Sequence, residues 1–129
     1  MIYLDTSAAL AELLAEDRKP DPSIWSQPLV SSRLLECELW TRLHALKLAA
    51  SHGDAARELL ASVSLIALAP EVLARALEPF PLAVRTLDAL HLASIEFLRG
   101  RRQQVTLASF DERQRAVAWR LGIPTLPAA

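Results

Sequence analysis

Four acidic residues are spaced so that the chain could bring them to one site. Asp5 and Asp111 each follow a short β-rich apolar run, Glu38 lies in the helical stretch after the run PLVSS, and Asp88 lies near the start of another helical stretch. Clustered carboxylates repel one another, so such a group needs a compensating cation. Oxygen ligands without His or Cys indicate Mg²⁺ or Mn²⁺, the ions that serve phosphoryl-transfer and nuclease chemistry.

Each of these acids also has an ordinary structural interpretation. Asp5 and Asp111 are in positions typical of helix N-caps, and Asp88 would complement a helix dipole. Glu38 could form an exposed i,i+4 pair with Arg42. The combination of four acids at comparable positions, rather than any single acid, therefore indicates a site.

The acids are positioned by apolar runs that alternate with helical stretches. This pattern predicts strands at 2–4, 28–32, 63–69 and 104–110, and helices at 6–17, 34–50, 54–62, 71–78, 86–100 and 111–122. Gly53 is expected to stop the second helix, Thr86 to cap the fifth, and residues 123–127 to add a short terminal strand. The alternation predicts a parallel sheet between two helical layers, an α/β/α sandwich that binds ligands at the carboxyl ends of its strands.

Composition predicts one folded domain spanning residues 1–129. Apolar residues make up 52% of the chain and charged residues 22%, with a net charge of −1. Without the four acids, 14 basic residues face 11 acidic ones, which suits a polyanionic substrate. The single cysteine, Cys37, excludes an internal disulfide and is expected to be buried. The chain shows neither a signal-peptide pattern nor a membrane-spanning run, so a cytoplasmic location is expected.

Four motifs carry a resemblance to a known family. IYLDTSAALAEL, SSRLLECEL, RTLDALHLASI and TLASFDERQRAVAWRLGI together resemble a PIN domain, in particular a VapC-type toxin ribonuclease. The resemblance covers essentially the whole chain, and the motifs occur in the expected order. It implies a PIN-like α/β/α fold and RNA hydrolysis with Mg²⁺ or Mn²⁺ held by Asp5, Glu38, Asp88 and Asp111.

The same resemblance implies supporting residues and protein partners. Thr6 and Ser109 fill the small hydroxyl positions that the family has near its metal. Glu36 lies only two residues before Glu38, but side chains two apart on a helix point about 200° apart, and the motif spacing favours Glu38. A small VapB-type antitoxin and a homodimer are also implied.

A basic cluster and a histidine are two further features of the sequence that could contribute to a site. The cluster RGRR contains Arg99, Arg101 and Arg102, which form either a solvated turn or a contact to RNA phosphates. His91 follows Asp88 by three residues and is expected to pack or hydrogen-bond as a neutral side chain.

Two alternative functions compete with the nuclease. A receiver-like phosphoacceptor domain would need an early acidic pair and a late lysine, whereas the only lysines here are Lys19 and Lys47. A non-catalytic protein-binding module could keep the same fold. The intact set of four acids argues against this second alternative but leaves it open.

Overall fold

The sheet contains four parallel strands, with helices on both of its faces. The computed structural model describes residues 1–126, whose strands and helices are β1 (Ile2–Leu4), α1 (Thr6–Leu13), β2 (Leu29–Ser32), α2 (Leu34–Ala45), α3 (Ala49–Ala61), β3 (Ser64–Ile66), α4 (Pro70–Ala76), α5 (Thr86–Gly100), β4 (Thr106–Ala108) and α6 (Glu112–Arg120). A 3₁₀ turn at Pro22–Ser26 precedes β2. The predicted α/β/α architecture is confirmed.

Strand order brings the first and last strands together. The order is β3-β2-β1-β4, and all pairs are parallel. Leu4 at the end of β1 pairs with Ala108 at the end of β4, and the Asp5 amide donates a hydrogen bond to the Ala108 carbonyl over 3.0 Å. The chain crosses to opposite sides of the sheet after these two strands, which creates a crevice at their carboxyl ends.

Alternation along β1 builds two separate hydrophobic cores. Ile2 and Leu4 belong to the core that packs α1, α2 and α3 on one face, whereas Tyr3 belongs to the core that packs α5 and α6 on the other. All three side chains are buried. Because successive side chains point to opposite faces of a strand, a three-residue strand buried on both faces is apolar throughout.

The prediction of one long helix over residues 34–50 was wrong. The helix α2 ends at Ala45, Lys47 adopts a positive φ of 58°, and α3 begins at Ala49. Gly53 lies inside α3 and does not end a helix. A Cβ atom at Gly53 would approach the Trp40 ring to 3.3 Å, so the glycine allows α3 to pack closely against α2.

Other boundaries are shorter than predicted. The helix α1 ends at Leu13, shortly before Ala15 adopts a φ of 50°, and both β3 and β4 contain only three residues. The N-cap of α5 is Arg85 rather than Thr86, and its side chain makes no capping hydrogen bond. In the expected terminal strand, Thr125 forms one parallel bridge with Leu107, and residue 127 lies outside the described part.

Burial corrects one further expectation. Cys37 is exposed, because its neighbours Leu35 and Leu39 occupy the buried face of α2. Within residues 1–126, no helix has both the length and the apolar character needed to cross a membrane.

Candidate active site

All four predicted acids line one cleft at the carboxyl edge of the sheet. The cleft has a volume of about 530 Å³, and its walls come from the ends of β1 and β4 and from α1, α2 and α5. Its polar and charged lining residues are Asp5, Thr6, Ser7, Glu38, Arg85, Thr86, Asp88, His91 and Asp111. The topology therefore collects acids that are far apart in the sequence.

Asp5 is fixed by two serine hydroxyl groups. It occupies the N-cap position of α1, yet its side chain makes no capping hydrogen bond. Instead, its Oδ2 atom accepts hydrogen bonds from Ser7 Oγ at 2.9 Å and from Ser109 Oγ at 2.6 Å. Ser7 in turn accepts a hydrogen bond from the amide of Phe110, and Ser109 from the amide of Asp111. These bonds join the end of β1 to the end of β4 and hold the Asp5 carboxylate in place.

Glu38 is held by a buried polar chain that begins at the sheet. Its Oε1 atom lies 2.6 Å from His91 Nε2 and accepts a hydrogen bond from Thr6 Oγ1 at 2.8 Å. The other ring nitrogen of His91 lies 2.7 Å from the Tyr3 hydroxyl. The surface pair of Glu38 with Arg42 is absent from residues 1–126, because Glu38 points inward to His91 instead.

Asp111 both caps a helix and faces the cleft. Its Oδ1 atom accepts hydrogen bonds from the amides of Arg113 and Gln114 at the start of α6, at 3.0 and 3.2 Å. Its Oδ2 atom lies 3.8 Å from Arg85 Nη2. The capping interpretation of this aspartate is therefore confirmed, and it does not exclude a second role in the cleft.

Asp88 is the least satisfied carboxylate of the four. Its Oδ2 atom is buried and makes no hydrogen bond within residues 1–126. The nearest positive charge is Arg85 Nε, at 3.5 Å. A buried carboxylate oxygen without a hydrogen bond is costly, so this atom is available for a cation.

Comparison with known proteins identifies the family of the chain. The sequence profile of the PIN domain family matches residues 2–120. The chain belongs to the PIN domain family. Membership indicates a nuclease-type function and a nucleic acid substrate. Because the match covers nearly the whole chain, it removes the receiver-like alternative. No curated protein sequence matches the chain significantly.

Charge distribution in the PIN cleft makes ionisation of Asp88 unfavourable. Burial raises the pKa of Asp88 above its ordinary value, and the negative charges of Asp111 and Asp5 add to this rise. Arg85 acts in the opposite direction and lowers it. A cation bound to Asp88 would offset the cost of ionising this carboxyl group.

The surroundings of His91 favour its protonated form. Burial alone would lower its pKa, but Tyr3, the hydrogen bond to Glu38 and the negative charges of Asp5 and Glu38 together raise the pKa to about 10. The predicted hydrogen-bonding role is confirmed, whereas the predicted neutral form is wrong. At neutral pH the imidazolium donates both of its ring protons, one towards Glu38 and one towards Tyr3.

The acids suit a divalent cation by their chemistry but not by their present spacing. Four carboxylates form the all-oxygen ligand set that Mg²⁺ and Mn²⁺ prefer, and the buried Oδ2 of Asp88, which has no hydrogen bond within residues 1–126, is a suitable ligand atom. Nevertheless, the described part of the chain contains no group of three or more His, Cys, Asp or Glu side chains already arranged to hold a metal. Arg85 instead lies between Asp88 and Asp111.

Two other predicted features lie away from the cleft. Glu36 forms an exposed ion pair with Arg33 at 2.9 Å, so it does not join Glu38. The basic cluster lies at the opposite end of α5 from Asp88, roughly 17 Å away along the helix axis at 1.5 Å per residue.

Only part of that basic cluster is free to meet a ligand. Arg99 donates hydrogen bonds to the carbonyl groups of Leu121 and Gly122, after α6. The Arg101 guanidinium lies 4.7 Å from the centre of the Phe97 ring. A nucleic-acid phosphate that contacts the exposed Arg102 would therefore lie well away from the cleft.

Sequence reasoning missed three residues of the site. Arg85 was detectable, because it precedes Asp88 at the i,i+3 spacing of a helical ion pair. Ser7 carried a weaker signal as a hydroxyl group close to Asp5. Tyr3 carried none, because it reads as one more apolar residue of a buried strand.

Proposed function

We propose that this PIN domain is a Mg²⁺- or Mn²⁺-dependent endoribonuclease and the toxin of a VapC-type toxin–antitoxin pair. The observation that carries the proposal is the convergence of Asp5, Glu38, Asp88 and Asp111 on one cleft. These acids come from four separate segments of the chain. Helix capping and surface solvation would not require them to share a cleft.

The proposal assigns the acids to two kinds of ligand. Asp5 and Glu38 are oriented in advance, because serine hydroxyls hold the first and His91 with Thr6 holds the second. Asp88 and Asp111 each direct one oxygen towards Arg85, and a metal would use these oxygens. Thr6 and Ser109 support the site by holding carboxylates rather than by contacting substrate.

A bound divalent cation would stabilise negative charge on the scissile phosphate and lower the pKa of the attacking water. The protein itself supplies the remaining requirements. The serine and histidine contacts hold the carboxylates in place, which reduces the reorganisation needed during the reaction. Leu10 and Leu87 add apolar side chains to the wall of the cleft.

Cleavage of RNA by the purified protein tests this function. We expect the full-length chain to cut single-stranded or loop regions of total cellular RNA in the presence of Mn²⁺ or Mg²⁺, and EDTA to stop the reaction. Sequencing the ends of the fragments would then identify the target. A folded protein that leaves RNA intact with either metal would favour the non-catalytic binding module.

We further propose that a small VapB-type antitoxin binds the cleft and that the protein forms a homodimer. The family resemblance supports both, and the four carboxylates of the cleft complement a basic side chain from a partner. Purification from the native host should recover a small protein that suppresses cleavage. Fully active protein with no bound inhibitor at native expression levels would contradict the toxin role.

A further inference from the structure

Among the residues that the structure describes, Arg85 is the one Lys or Arg side chain that bridges two acids of the cleft. Its Nε atom lies 3.5 Å from Asp88 Oδ2, and its Nη2 atom lies 3.8 Å from Asp111 Oδ2. Within residues 1–126, no other Lys or Arg comes within 4 Å of the four acids. The guanidinium thus stands next to the same two oxygens that a divalent cation would use.

The contacts of Arg85 are suited to exchange. Its side chain is 74% exposed, and exposed ion pairs at these distances are weak. The guanidinium reduces the negative charge of the pair, but it leaves Asp88 Oδ2 without a hydrogen bond. A cation that bound this oxygen directly would supply the partner that the oxygen lacks. The cation would therefore compete with Arg85 and displace the guanidinium.

A displaced guanidinium would remain at the mouth of the cleft. Arg85 is the N-cap residue of α5, so its backbone is fixed beside the cleft while its long side chain can turn. The planar guanidinium binds phosphate oxygens in bidentate fashion. Metal binding would therefore free Arg85 for an RNA phosphate, and phosphate binding by Arg85 would free the carboxylates for metal. Such coupling acts equally in both directions.

We propose that Arg85 is an exchangeable counter-ion, which neutralises Asp88 and Asp111 until a divalent cation binds and then contacts a phosphate of the RNA. This inference rests on the proposed metal-dependent ribonuclease function. It goes beyond that function by assigning a residue that couples metal binding to substrate binding.

Calorimetric titration with Mn²⁺, in the absence of RNA, measures the competition directly. The full-length wild type would be compared with Arg85→Gln, which removes the charge, and with Arg85→Lys, which keeps it. Arg33→Gln is a matched control, because Arg33 also forms an exposed i,i+3 pair with an acid, namely Glu36. We expect Arg85→Gln to bind Mn²⁺ roughly threefold to tenfold more tightly, the range that two weak ion pairs made by an exposed guanidinium represent. The lysine variant and the Arg33 control should bind it as the wild type does.

Cleavage of RNA at saturating Mn²⁺ measures the second half of the inference. We expect Arg85→Gln to cleave more slowly even though it binds metal more tightly, and Arg85→Lys to recover part of the rate. A merely structural role would not produce this opposite pair of changes. Unchanged or weaker Mn²⁺ binding in Arg85→Gln overturns the competition, and undiminished cleavage overturns the phosphate contact.

Failure of the proposed function would be visible separately. A wild type that neither binds Mn²⁺ nor cleaves RNA would overturn the nuclease function, and the inference with it, before any variant is compared. Since Arg85 is exposed, its variants should fold normally, and an unchanged melting temperature checks this.

Discussion

The cleft has two halves that treat their carboxylates differently. Asp5 and Glu38 accept hydrogen bonds from hydroxyl groups and from a buried imidazolium. On the other side, within residues 1–126, Asp88 Oδ2 is buried without a hydrogen bond, and Asp111, whose Oδ1 caps α6, places Oδ2 3.8 Å from the exposed Arg85 guanidinium. The first half is therefore fixed by hydrogen bonds from side chains, whereas the two Oδ2 atoms of the second half are balanced by an exposed guanidinium.

This difference suggests that one half of the cleft determines where a cation would stand, and that the other half determines how tightly it would bind. Fixed carboxylates lose little entropy when a ligand binds, so they define where a cation would stand. Loosely balanced carboxylates gain most from a cation, because its positive charge compensates for their lost hydration and reduces their mutual repulsion. Substitutions in the fixed half remove a ligand that is already oriented, so they should have the largest effect on activity. Substitution of Asp88 in the open half should reduce metal binding while sparing or improving stability, whereas substitution of Asp111 would also remove the N-cap of α6.

Asp5→Asn tests the fixed half and should have the largest effect. A neutral amide is a poor ligand for a hard cation, so RNA cleavage should fall by more than the roughly 10- to 100-fold typical for loss of an outer-shell partner. The circular dichroism spectrum should stay that of the wild type. A folded Asp5→Asn variant that cleaves RNA at the wild-type rate would refute the site assignment.

Comparison of Glu38→Gln with Glu36→Gln sharpens the contrast between a buried and an exposed glutamate. Glu38→Gln leaves the buried His91 without its counter-charge and should lower the free energy of unfolding by about 1–3 kcal/mol, with a large loss of cleavage. Glu36→Gln removes only an exposed pair with Arg33 and should change stability by less than about 1 kcal/mol. Urea denaturation and the cleavage assay measure both. The reverse order would mean that Glu36 is the functional residue.

Asp88→Asn tests the open half and should have the smallest effect on the folded protein. Below its ordinary pKa of 3.8, Asp88 is protonated in the folded and unfolded chain alike and costs no stability. As the pH rises through the raised pKa of the folded state, ionisation of Asp88 destabilises the fold. At pH 7 without metal, the variant should therefore melt about 2–5 °C above the wild type.

Two comparisons check this interpretation of Asp88. The advantage of Asp88→Asn should disappear as the pH falls below 3.8, because the wild-type carboxyl is then neutral too. Millimolar Mn²⁺ should raise the melting temperature of the wild type more than that of the variant, since a ligand stabilises only the state that binds it. If Mn²⁺ left the melting temperature of the wild type unchanged, the four acids would be only helix caps and surface charges.

Much of the architecture was predictable from local patterns. The alternation of apolar runs and helical stretches predicted the parallel sheet, and the position of Asp5 and Asp111 just after strands predicted that both would lie at its carboxyl edge. Boundaries were less predictable. The helix break at Lys47 depends on one residue adopting a positive φ, and the place of Gly53 inside α3 depends on contact with Trp40. The local hydrophobic pattern predicts neither the φ of Lys47 nor the contact of Gly53 with Trp40.

The sequence by itself determined which groups could do chemistry: four carboxylates, two supporting hydroxyls and no competing His or Cys ligand set. Only the tertiary structure decided the state of each group. Local spacing cannot tell that Tyr3 and Glu38, 35 positions apart, contact the two nitrogens of one His91 ring. Hydrogen bonding and desolvation depend on neighbours from distant segments, and so the division of the acids into a fixed half and an open half appears only once the chain has folded.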